Sequence, residues 1–135
     1  MSERSQRSAS RTSLDERRAR LGRGGRGELL AAALLLAKGY RILARRHRTP
    51  YGEVDIIAVR RGPSGRVAFV EVKRRPTFAD AEAGLTPHQA RRIADAADYW
   101  LARSPRYQDR EVGLDAILVV PWRLPRHIPN ALDRF

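Results

Sequence analysis

The clearest feature of the chain is a pair of short apolar runs separated by turn residues. Val54-Asp55-Ile56-Ile57-Ala58-Val59 and Val67-Ala68-Phe69-Val70-Glu71-Val72-Lys73 are rich in β-branched residues, which suit a pleated, half-buried surface. Gly62-Pro63-Ser64-Gly65 between them is turn chemistry, so the two runs predict a β-hairpin. Other periodicities flank it. Residues 26–38 are mostly alanine and leucine with Gly39 behind them, a strong helix former with a C-terminal stop. Tyr40 to Arg45 predicts a short strand, and Thr49 to Gly52 a turn. Residues 74–85 read as a loop. Thr86-Pro87 then supplies an N-cap and a first helical proline, and Ala90, Ile93, Ala94, Ala97, Trp100 and Leu101 recur on one helical face as far as Ala102. Leu114 to Val120, closed by Pro121, predicts the last strand. The order α-β-β-β-α-β describes an α/β domain in which helices flank a small mixed sheet.

Composition narrows the function. A chain of 135 residues fits one domain. Residues 1–23 combine many arginines and serines with few apolar side chains, which predicts a disordered basic N-terminal arm ahead of a folded domain over 24–135. That arm fits a phosphate-contacting role and a merely solubilising one equally. With no cysteine, disulfide frameworks and thiolate metal sites are excluded. The net charge is +12, from 27 Lys and Arg of which only Lys38 and Lys73 are lysine. Such a domain attracts polyanions and releases their counterions, which makes nucleic acid the leading partner class. The longest apolar run, 29–37, is far below the roughly 20 residues a membrane span needs. No basic amphipathic helix with bulky apolar anchors points to a membrane surface. With no secretory signal, a soluble cytoplasmic protein is expected. Gly-rich nucleotide loops, nucleophile elbows and recognition-helix motifs are also missing.

Asp55 and Glu71 stand where charge is poorly tolerated, each between aliphatic neighbours in a strand. A buried carboxylate needs a partner. If Ile57 pairs with Phe69, Asp55 falls opposite Glu71, with Cβ atoms about 4.5–5.5 Å apart. Carboxylates that close repel unless a cation intervenes, and Mg²⁺ with its retained waters suits such a pair. Lys73 lies two residues past Glu71 and shares its face, where it could orient a water or neutralise charge at a phosphate. Metal held by Asp55 and Glu71 would meet the needs of phosphodiester hydrolysis. An ion pair with Lys73 or a nearby arginine answers the same constraint, and the residues alone leave both readings open. Arg74 and Arg75 leave the strand directly and are candidate phosphate contacts. His47, His88 and His127 lack metal-ligand spacing, and His47 is the one best placed to touch nucleic acid. Asp115 reads as a structural ion pair, and Trp100 as core.

These residues resemble the PD-(D/E)xK nuclease superfamily, with its helix, mixed sheet and Asp…Glu-x-Lys hairpin. They are closer still to the YraN-type family of bacterial endonuclease-like proteins. The likeness is carried by Gly27-Glu28, Gly39-Tyr40-Arg41-Ile42-Leu43-Ala44-Arg45, Gly52-Glu53-Val54-Asp55-Ile56-Ile57-Ala58, Phe69-Val70-Glu71-Val72-Lys73-Arg74-Arg75, Leu114-Asp115 and His127-Ile128-Pro129-Asn130-Ala131. The resemblance implies a restriction-endonuclease-like core, Asp55 and Glu71 as ligands of Mg²⁺ or Mn²⁺, and Lys73 as the catalytic lysine. It further implies a ligand from the Val72 carbonyl and one from Glu28 on the first helix. It makes DNA, including branched DNA, the expected substrate. Three positions depart from the family pattern. Arg46-His47 stands where Asn-Trp is usual, and Gln89 where a lysine often begins the second helix. All three keep a nucleic-acid-contacting role in this reading, but Gln89 brings no charge. A non-catalytic nucleic-acid-binding module on the same fold is therefore the alternative.

Overall fold

The computed structural model describes residues 25–63 and 65–135, so the expected basic arm over residues 1–23 lies outside the described residues. Helix α1 spans 25–37. It ends where Gly39 adopts φ 89°, a left-handed conformation that favours glycine. Strands β1 (Tyr40–Thr49), β2 (Gly52–Arg60) and β3 (Val67–Arg74) follow. Helices α2 (Phe78–Ala83) and α3 (Pro87–Ala102) then carry the chain across to β4 (Val112–Val119), and a short β5 (Arg126–Ile128) closes the sheet. The five strands lie in chain order, antiparallel except for the β3–β4 pair. A parallel pair needs a long crossover, which α2 and α3 provide.

The sheet is the middle of three layers. Ile56, Ala58, Ala68, Val70, Ile117 and Val119 pack under Ala31, Ala32 and Leu35 of α1. Ile57, Val59, Val67, Phe69, Ala116 and Leu118 pack under Ala90, Ile93, Ala96 and Ala97 of α3. Successive residues of β3 thus alternate between the two cores, as strand geometry requires. Trp100 is core, its ring edge-on to Phe69 at 5.7 Å. No helix among the described residues is long and apolar enough to cross a membrane.

The α-β-β-β-α-β order and the mixed sheet flanked by helices are as expected, with three corrections. Residues 74–85 contain α2, capped by the Thr77 hydroxyl, which accepts from the Asp80 N–H at 3.1 Å. Six residues are too few for a helical period to show. Strand β1 runs on to Thr49 because its polar second half, Arg45 to Arg48, pairs with β2. The sheet also gains β5 beyond the expected last strand, three residues enclosed by Pro125 and Pro129 on its edge, where proline is tolerated. The expected helix from Thr86-Pro87 to Ala102 is present, its N-cap hydroxyl accepting from the Gln89 N–H at 3.2 Å.

Candidate functional site

The hairpin has the expected register, Ile57 opposite Phe69, and its ladder runs from Val59↔Val67 to Ile56↔Val70. It stops one pair short of Asp55 and Glu71. From there β2 continues with β1 as far as Gly52, while β3 continues with β4 as far as Arg74. The sheet forks, and the acidic residues sit at the fork. The Asp55 carboxylate takes over the vacated ladder position, accepting the Val72 N–H at 2.7 Å. Strict alternation would put Val54 and Ile57 on opposite faces, yet both belong to the α3-side core. Strand β2 therefore coils as it leaves β3. The N–H and C=O of one strand residue point the same way, so the Val72 carbonyl also faces the fork.

Glu71 and Lys73 share the α3 face of β3 and are both buried. Lys73 Nζ lies 3.6 Å from Glu71 Oε1. Arg92 of α3 reaches the same oxygen at 4.0 Å. It passes directly over Gly52, whose φ is 130°. A Cβ there would sit 2.7 Å from Arg92 Cδ, so this glycine keeps the path open.

The electrostatics of the two carboxylates are unusual. Burial, then the charge of Glu71, pushes Asp55 up to about 7, with Glu28 and Glu53 adding to it and the Val72 N–H opposing. Burial also raises Glu71, against the pull of Lys73 and Arg92. Burial is the first cause in both cases, so the fork disfavours the charged form of its carboxylates, and a bound cation or a proton would relieve that cost.

Glu28 projects from the first turn of α1, which packs on the exit of β3: a Cβ on Gly27 would lie 3.7 Å from Arg74 Cδ. It does not join Asp55 and Glu71 in a common cage. Its Oε2 instead accepts from Arg46 Nε at 2.6 Å. The Arg46 backbone is left-handed, φ 50°, a strained conformation for arginine. Among the described residues, no three or more His, Cys, Asp or Glu side chains are grouped so as to hold a metal ion. What remains is an all-oxygen donor set of Asp55, Glu71 and the Val72 carbonyl. It suits a hard cation such as Mg²⁺, which takes one or two carboxylates and keeps several waters.

The other expected contacts surround this set. Gln89 begins α3 one turn before Arg92, on the same side, and its buried Oε1 has no hydrogen-bond partner. Arg74 and Arg75 are exposed at the end of β3, and Arg75 Nη1 donates to the Arg74 carbonyl at 2.8 Å. His47 is half-buried opposite Val54 in the β1–β2 ladder. Asp115 lies on β4 opposite Val70, and the expected structural ion pair is there. It is fully buried and accepts both Arg66 Nη groups at 2.6 Å, His127 Nε2 at 2.8 Å and the Asn130 N–H at 2.9 Å.

A profile of the family described as "Uncharacterised protein family UPF0102" matches residues 27–119. A UPF0102 protein of Rhodopseudomonas palustris strain BisA53 is 52% identical over 118 residues, 87% of this chain and 88% of that protein. One from Bradyrhizobium sp. strain ORS 278 is 52% identical over 123 residues, covering 91% and 85%. One from Nitrobacter winogradskyi is 53% identical over 106 residues, covering 78% and 87%. The matched span takes in Glu28, the whole hairpin and Gln89. The names of these relatives state the family and no reaction.

Proposed function

The chain belongs to the UPF0102 family, and from that premise we propose that it is a Mg²⁺- or Mn²⁺-dependent nuclease hydrolysing phosphodiester bonds in DNA, with branched DNA among its substrates. One observation carries this reading: the half-buried Asp55 and the buried Glu71, carboxylates from neighbouring strands that both have raised pKa, meet where the sheet forks, beside a buried lysine. Asp55, Glu71 and the Val72 carbonyl would hold the ion. When bound, a divalent ion supplies an activated water and stabilises charge developing on the phosphate.

The chain's own side chains have separate tasks. Lys73, 3.6 Å from Glu71, keeps a positive charge at the fork and has protons to donate to a phosphate oxygen or a water. Arg74 and Arg75 are exposed where β3 ends and provide phosphate contacts that position the strand without reading sequence. The orphaned Gln89 carbonyl oxygen accepts a hydrogen bond from a bound water. The Val72 N–H fixes the Asp55 carboxylate in orientation.

The second reading, a nucleic-acid-binding module without turnover, is favoured by the Arg46–Glu28 pair. That pair occupies the third carboxylate the family pattern would direct to the ion. The test is cleavage by wild type and Asp55→Ala of linear, nicked, flapped and four-way DNA, and of RNA, with Mg²⁺ or Mn²⁺. The nuclease reading expects metal-dependent cleavage by wild type, reduced at least about a hundredfold in the variant. Equal, negligible cleavage by both would sink it, and tight salt-sensitive DNA binding without cleavage would select the module.

A further inference from the structure

Five arginines converge at the end of β2 remote from Asp55. Arg41 comes from β1, Arg60 and Arg61 from the end of β2, and Arg106 and Arg110 from the segment after α3. With Val59 and Gly62 they line an open pocket of about 400 Å³. Among the described residues, none of the five is in ion-pair range of a carboxylate. Glu111, next in sequence to Arg110, lies 3.8 Å from Arg66 instead. Gathering like charges without counter-charge is unfavourable. Packing does not require it either, since Arg41, Arg60, Arg61 and Arg106 are exposed.

The cluster is nevertheless organised. Tyr107 is buried, and its hydroxyl accepts from Arg41 Nη2 at 3.3 Å. The Arg110 guanidinium stands 5.1 Å from the centre of the same ring and that of Arg106 5.9 Å. Arg110 Nη1 also donates to the Gly65 carbonyl at 3.5 Å. Arg60 lies over the Tyr40 ring at 5.2 Å. Contacts of this kind hold guanidinium planes in place while leaving donors free.

The lining also limits what the pocket recognises. It has no carboxylate or amide side chain to pair with a cytosine or adenine edge and no aromatic side chain on which a base could stack. What it offers in number is the planar N–H fork, which matches phosphate oxygens. We propose that this pocket is a second phosphate-binding site, which takes successive phosphates of a nucleic-acid strand engaged at the Asp55–Glu71 fork. The nucleic-acid part rests on the nuclease reading above. Five residues of strand separate Asp55 from Arg60, about 17 Å, the axial rise of about five base pairs of duplex. Inorganic polyphosphate offers the same chemistry in free form.

The test uses Arg61→Ala/Arg106→Ala, two exposed positions outside the acidic fork. Duplex DNA binding is followed by fluorescence anisotropy between 50 and 200 mM salt. The double variant should bind about tenfold or more weakly at low salt, with a salt dependence shallower by about two phosphate contacts. In a second arm, backbone amide shifts are titrated with inorganic tripolyphosphate. Shifts at Arg60 to Gly62 and Arg106 to Arg110 are expected in wild type and should be lost in the variant. Equal DNA affinity and salt slope in wild type and variant would overturn the pocket and leave the nuclease reading standing. If wild type binds no DNA but tripolyphosphate moves these amides, the nucleic-acid reading fails and the pocket stands as a polyphosphate site. Neither DNA binding nor amide shifts would remove both.

Discussion

Asp55→Asn should raise the melting temperature by several degrees at pH 8 without divalent metal, and by well under half as much at pH 5. Asparagine can still accept the Val72 N–H that the carboxylate accepts at 2.7 Å, so the local geometry has no reason to fail. What is lost is a half-buried negative charge beside Glu71. Asp55 titrates at about 7 in the folded chain against a reference of 3.8, chiefly through burial and then through Glu71. The folded state therefore holds its proton more tightly than the unfolded chain. Stability from this group is fully present below about pH 4, falls as pH rises toward 7, and is flat above. The shift amounts to on the order of 4 kcal/mol at alkaline pH, worth several degrees for a domain of this size. The check is thermal unfolding of both proteins between pH 5 and 8. A variant destabilised at pH 8 would mean that the Asp55 charge is compensated inside the fold.

The opposite sign is expected at Asp115. Arg66→Met should destabilise the protein by about 3–5 kcal/mol, because removing one partner of a buried pair strands the other charge. Burial alone would raise the Asp115 pKa, but Arg66, His127 and the Asn130 N–H outweigh it and hold it at about 2. Stability from this network is present above about pH 4 and is lost as pH falls toward 2. The Asn130 backbone is left-handed, φ 57°, a conformation asparagine tolerates better than most residues. That conformation turns its N–H onto Asp115 Oδ1 at 2.9 Å. His127 is locked in turn between Asp115 and Lys38 Nζ. The pair thus ties the C-terminal segment to the sheet and to the end of α1. The loss counts against a total stability of about 5–15 kcal/mol for domains generally. Urea unfolding of Arg66→Met measures it. Adding Asp115→Leu to the same chain should recover much of the loss, because both buried charges are then gone. A double variant as unstable as the single one would show that the network matters for something besides the stranded charge.

Much of this was legible in the sequence, for specific reasons. Period-two alternation excludes every one-residue slip, so the faces could be read from the two strands alone, and Ile57 opposite Phe69 is one of the registers it allows. Thr86 before Pro87 marks a helix start by local chemistry, and α3 begins there. Other features depend on partners distant in sequence. Arg46 and Glu28 are 18 residues apart and Arg66 and Asp115 are 49 apart, so no local pattern announces either pair. The fork arises because β2 follows β1 while β3 follows β4. A hairpin read in isolation cannot show this, and it predicts a ladder pair at Asp55–Glu71 where Asp55 instead binds the Val72 N–H. The short α2 and β5 fell below the length at which periodicity carries information. One signal was present but unused: the Thr77-x-x-Asp80 spacing is a helix-start pattern.

The central claim, that the fork is a divalent-cation site, is tested most directly by Mn²⁺ binding measured by electron paramagnetic resonance at pH 8. Wild type should bind one Mn²⁺ per chain, more weakly below pH 7 because the Asp55 proton competes with the ion. Asp55→Asn and Glu71→Gln should each abolish that binding while remaining folded. Mn²⁺ bound equally by wild type and both variants, or not bound by wild type at all, would contradict the account.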